Sequence, residues 1–120
     1  MRSYVIDRAL YQQTIWLIRR YPDLKERYDD ALKVGSGLAG GAHSNAPNSV
    51  VENAAIKRAT LSAQILAIEK ALGMIPEAYR AGIINYITMR TPYPHYAAIN
   101  TWKMWKQRFV FYVALFVGWL

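Results

Sequence analysis

The chain has 120 residues, room for one domain or for a small domain with a helical extension. An apolar fraction of 53%, with four Trp, nine Tyr and three Phe, suffices for a core and excludes global disorder. The net charge of +7 points to polyanionic partners, and the lack of Cys excludes disulfides, thiolate catalysis and Cys-based zinc sites.

The opening Met1-Arg2-Ser3-Tyr4-Val5-Ile6-Asp7 has an early charge and no long apolar run, so it does not read as a secretory signal. Together with the lack of Cys, this leads us to expect a cytoplasmic protein. Tyr4 to Arg20 reads as an amphipathic helix, with Ile6, Leu10 and Leu17 on one row and Tyr11, Ile15 and Ile18 on its neighbour. Pro22 favours a restart after Tyr21, and Leu24, Tyr28, Ala31 and Leu32 give a second helical face ending near Val34. Residues 1–34 therefore form an N-terminal helical segment.

Residues 35–49 read as a flexible linker of Gly, Ser and Asn with no helical period. No Gly-Lys-Ser/Thr follows its glycines, so it is not a phosphate loop. Residues 50–120 form the remaining helical domain. Its first element, Val50 to Leu72, is the longest expected helix, with Ser49 and Glu52 spaced as a capping box. Val51, Ala54, Arg58, Leu61, Ile65, Ile68 and Leu72 make a heptad seam, which can pack on the N-terminal helices or on a second copy in a homodimer. Length favours neither use, with a slight preference for packing inside the fold.

Gly73 ends that helix, Pro76 and Glu77 start the next, and Tyr79, Ile83, Ile84, Tyr86 and Ile87 give it an apolar side up to Arg90. Thr91-Pro92-Tyr93-Pro94-His95 cannot be ordinary helix, because each proline disfavours helix at the residue before it. Asn100 or Thr101 is expected to cap a last helix reaching about Trp119. No segment alternates long enough to be a strand, so the fold class is all-α, with N-terminal helices, a long central helix and a C-terminal helix-turn-helix-like unit.

Glu77 is the last acidic residue. After it the charges are Arg80, Arg90, Lys103, Lys106 and Arg108, with His95 titratable. An ordinary solvated face mixes signs, whereas a one-signed field attracts nucleic acid. In the last helix Trp102, Trp105, Phe109, Val113, Phe116 and Leu120 form an apolar stripe, opposite Asn100, Lys103, Met104, Gln107 and Arg108, with Lys106 on the flank. Amide and cationic side chains near a helix start are those that read base edges and neutralise phosphates. Asn100, Thr101, Lys103, Gln107 and Arg108 are thus the candidate DNA contacts, and Lys106, Arg90 and Arg80 would hold the backbone.

Phe109 to Leu120 is unbroken apolar sequence, but it falls well short of the ~20 residues of a spanning helix, so burial in the core is expected. Catalytic patterns are poor. His43 lies in the linker and His95 between prolines, no His-Glu-x-x-His occurs, and Asp29-Asp30 diverge on a helix. A non-enzyme without metal or cofactor is expected.

From residue 46 the order of signals resembles the small phage-borne transcriptional regulators of Gram-positive bacteria, the RinA and ArpU-like group. The resemblance runs from Ala46-Pro47-Asn48-Ser49-Val50-Val51-Glu52 through Ile75-Pro76-Glu77-Ala78-Tyr79-Arg80 to Asn100-Thr101-Trp102-Lys103-Met104-Trp105-Lys106-Gln107-Arg108-Phe109. In that group the C-terminal part is like region 4 of sigma factors. The resemblance implies a phage-type DNA-binding regulator of late genes, with the helix from Thr101 as recognition helix and RNA polymerase as a further partner. Where such a unit has a full helix ahead of the recognition helix, this chain has the short, proline-containing stretch Pro92 to Ala98. The rival reading is a phage packaging component, such as a small terminase subunit, oligomerising through the central helix.

Overall fold

The backbone's first helical stop is set by a side chain. Asp7 accepts hydrogen bonds from the N–H groups of Ala9 and Leu10, both at 3.2 Å, and so caps the first helix at Arg8. The computed structural model describes residues 3–37 and 48–120. Among them are five helices and no strand: α1 Arg8–Arg19, α2 Tyr21–Gly37, α3 Asn48–Leu72, α4 Glu77–Met89 and α5 Ile99–Val117.

Several boundaries differ from those expected. The first helix begins at Arg8 rather than near Tyr4, and residues 3–7 are non-helical because Asp7 takes the capping position. The second runs through Gly35, Ser36 and Gly37, past Val34, so the stretch taken as linker is helical at its start. Residues 38–47 and the Ser49–Glu52 side-chain pair lie outside the described residues. α5 starts at Ile99 with Ala98 in the capping position, so neither Asn100 nor Thr101 caps it. Its first turn is closed instead by the Ala98 carbonyl, which accepts from Thr101 N–H at 3.0 Å and from Trp102 N–H at 3.2 Å.

α3 lies between α2 and α5, while α1 packs on α4 and α5. The α2–α3 pair is antiparallel: Tyr21 Oη donates to Glu69 at 2.7 Å near one end, and Ala31 faces Ala54 and Lys57 near the other. One core joins all five helices. Ile15, Leu17 and Ile18 of α1 meet Leu24, Leu61, Ile65, Ile68, Ile83, Ile87, Phe109, Val110 and Val113. Each fully buried side chain of this size stabilises the fold by about 1.5–3 kcal/mol. The N-terminal helices are therefore part of the same core as residues 50–120.

The middle of the α3 heptad seam, Leu61 to Ile68, is occupied within the chain. Leu61, Ile65 and Ile68 are buried, together with Ala67 and Ala71 from neighbouring rows. A helix packed on two sides needs apolar residues on more than one row, which mimics a coiled-coil seam in the sequence. A homodimer formed through that seam would have to open this core. Of the stripe expected on α5, Trp102, Phe109 and Val113 are buried, but Val110 and Ala114 join them and Leu120 is half exposed, at 50%. No helix among the described residues is long and apolar enough to cross a membrane.

Trp102 fixes α5 against α4. A Cβ at Gly82 would lie 2.6 Å from Trp102 Cη2 and 2.7 Å from Cζ3, so the indole fits only because α4 carries no side chain there. The indole Nε1–H donates to the Pro94 carbonyl at 3.1 Å. Gly82→Ala should therefore overpack the contact and destabilise the protein by about 1–3 kcal/mol, read as a lowered Tm in thermal denaturation. An unchanged Tm would show that the indole has room to shift.

Candidate nucleic-acid interface

The link between α4 and α5 is a turn whose shape is held by rings. Tyr93 stacks on Trp102 at 5.1 Å between centroids and on Tyr86 at 4.1 Å. Tyr79 meets the Trp102 indole edge-on at 4.9 Å, and the Tyr96 hydroxyl donates to the Ala78 carbonyl. Such pairs are each worth about 0.5–1.5 kcal/mol beyond area burial. The proline-containing stretch is thus an ordered turn and not a helix, and it delivers the chain to the start of α5.

The eight residues singled out from the sequence fall into two groups. Arg90, Asn100 and Lys103 are exposed at the turn and at the start of α5, with Thr101 half buried beside them. Lys106 is half buried one turn further on. The others are used by the fold. Arg80 Nε donates to the Ile75 carbonyl at 3.0 Å, and Gln107 Nε2 donates to the Tyr4 carbonyl at 2.7 Å. The Arg108 guanidinium lies 4.7 Å from the Tyr4 ring centroid and 5.1 Å from that of Trp105.

Gln107 and Arg108 are engaged because residues 3–7 lie along α5. The Tyr4 ring meets Phe111 edge-on at 5.2 Å and Tyr112 at 5.8 Å. The exposed residues of α5 are therefore Ile99, Asn100, Lys103 and Met104 at its start and Leu115 near its end. The sequence reading had no signal for this cover, since the contact joins residues more than a hundred positions apart.

A cavity of about 450 Å³ opens beside this surface. Tyr11, Tyr86 and Tyr93 wall it, Lys106 and Gln107 line its inner part, and Lys103 stands at its exposed edge. Burial lowers the Lys106 pKa, and the charges of Arg19 and Lys103 lower it further. Arg19, at the end of α1, thus joins the cationic group; its only sequence signal was the Arg19-Arg20 pair closing an amphipathic helix. Among the described residues the ion pair is Arg27–Asp23, remote from this cluster in sequence and on α2. Burial raises the Tyr93 pKa, with Tyr86 and then Tyr11 adding to the effect, and burial followed by Tyr86 raises that of Tyr11. These phenols are neutral hydrogen-bond donors at ordinary pH.

Arg90 carries backbone strain. It sits in the left-handed region at φ 57° as the residue after α4, and its N–H bonds to the Asn85 carbonyl. A long side chain at such a position costs about 1–2 kcal/mol relative to glycine. No group of His, Cys, Asp and Glu that could hold a metal occurs among the described residues. No protein-family model, curated protein or solved structure matches the chain.

Two measurements follow from this geometry. Arg90→Gly should raise stability by about 1 kcal/mol in denaturant unfolding, since glycine relieves the left-handed backbone; a loss of stability would mean that the side chain holds the turn. The raised tyrosines keep their protons in the folded chain above pH 10, where the unfolded chain loses them. Their contribution is complete below pH about 10 and is lost as pH rises beyond it, so Tm should fall there, and Tyr93→Phe should flatten the fall.

Proposed function

We propose that the chain binds double-stranded DNA as a small transcriptional regulator, with the start of α5 and the turn before it facing the duplex. The observation that carries this reading is the charge around that surface. Lys103 and Arg90 are exposed there, Arg19 and Lys106 stand behind them, and no carboxylate of the described residues forms an ion pair with any of these. An uncompensated cationic surface displaces counterions from DNA and gains affinity from their release.

In this reading Lys103 and Arg90 hold phosphates, with Arg19 adding to the field. Asn100 supplies the amide suited to a base edge, and Met104 offers an apolar contact. A narrow reading surface at the helix start agrees with how recognition helices use their first residues. Gln107, Arg108 and Arg80 are assigned to holding the fold and not to DNA. The phage-borne regulatory class rests on the residue resemblance over 46–120 alone.

Fluorescence anisotropy with duplex from around its own gene tests the reading. Affinity should fall steeply between about 50 and 200 mM salt, by a log–log slope near 0.9 for each phosphate neutralised. Arg90→Ala combined with Lys103→Ala should lower that slope by about 2 while helical content stays constant. Absence of binding, or binding unaffected by salt and by the double substitution, would refute it.

A further inference from the structure

Lys106 is a half-buried ammonium without a carboxylate partner among the described residues. Its Nζ lies 5.1 Å from the Tyr86 ring centroid and 5.9 Å from that of Tyr11. Ring faces attract a cation, but they supply no formal counter-charge, and here Arg19 and Lys103 add repulsion. Tyr93, which lines the same cavity, has a buried hydroxyl that makes no hydrogen bond. Buried polar groups normally have partners, and each orphan calls for a reason. Two lysines and an orphaned phenol around a cavity of about 450 Å³, with the charge of Arg19 adding to the field at Lys106, are the parts of an oxyanion site.

The remaining lining says what the anion is attached to. Tyr86 and Tyr11 present rings to the cavity, while Pro92 and Ile99 add a flat apolar border near its mouth. The volume lies within the ~300–1,000 Å³ usual for small-ligand sites and exceeds what an inorganic ion needs.

We propose that this cavity binds a phosphate monoester carried on a planar ring, with the phosphate at Lys106 and Lys103, Arg19 adding to the field, and the ring between Tyr11 and the Pro92–Ile99 border. The Tyr93 hydroxyl donates to the phosphate. Two sources supply this chemistry: a free nucleoside monophosphate, and the 5′-phosphorylated end of a nucleic-acid strand. The site lies beside the surface assigned to duplex DNA and stands whether or not that assignment holds. The site carries a cost, a desolvated ammonium and an unpartnered phenol where Met and Phe would serve packing alone.

Isothermal titration of the full chain with inorganic phosphate, thymidine and thymidine 5′-monophosphate tests the proposal. The monophosphate should bind at least tenfold more tightly than either of the other probes. Lys106→Met and Tyr93→Phe should each weaken it, the first by tenfold or more, while both variants keep or raise Tm. A short single strand offered with a 5′-phosphate and with a 5′-hydroxyl separates the sources. Tighter binding of the phosphorylated end than of the free monophosphate assigns the strand, and the reverse assigns the free nucleotide. No binding of the monophosphate, affinity equal to that of inorganic phosphate, or folded variants that bind as the parent does would overturn the proposal.

Discussion

The position of the start of α5 depends on one indole lying in a notch. Trp102 is fully buried, over an α4 backbone that has only hydrogen at Gly82. The same ring carries the face of Tyr93 and the edge of Tyr79, and its N–H holds the Pro94 carbonyl. Because the turn is tied to the indole, Arg90, Asn100 and Lys103 keep fixed positions relative to the core. The rings that wall the cavity are held by the same stack, through Tyr93 and Tyr86. A change that displaces Trp102 therefore reaches both surfaces at once.

Charge and cover act together at this end of the protein. The N-terminal residues lie along α5 and occupy Gln107 and Arg108, so that its exposed polar side chains lie in its first turns. What stays open is rich in cations and bears the one non-glycine residue with positive φ among the described residues. Strain at Arg90, desolvation at Lys106 and an orphaned hydroxyl at Tyr93 all cost stability within a small region. Such costs persist where binding makes use of them, which is why they support a functional reading. Elsewhere the chain follows ordinary rules: apolar rows buried, Thr14 bonded back to the Leu10 carbonyl at 2.8 Å, and a left-handed glycine, Gly118, after α5.

Several local signals in the sequence held, although the expected start of α1, end of α2 and cap of α5 did not. Pro76–Glu77 marked the start of α4, Pro92 and Pro94 excluded helix, and the spacing of Trp102, Phe109 and Val113 found the buried side of α5. Signals that needed a partner far along the chain were not legible. Tyr4 and Gln107 meet only after folding, so the polar side of α5 read as wholly open. Gly82 carried no legible role, because nothing local shows that an indole will lie over it. The α3 seam left a dimer contact open beside the slightly preferred packing inside the fold, since burial on two sides and burial in a coiled coil leave similar patterns. Arg19 was missed because the acid-free stretch was counted along the chain, whereas the field at Lys106 is assembled from α1 and α5 together.

The central claim is that the turn and the first turns of α5 form the surface that meets DNA. Backbone amide chemical-shift mapping during titration with a duplex tests it most directly, because it reads every region of the chain at once. The account predicts the largest changes over residues 90–104, with a second group around Arg19, and little change along the outer part of α2 and α3. Changes concentrated on α2 and α3, or none at saturating duplex, would contradict it.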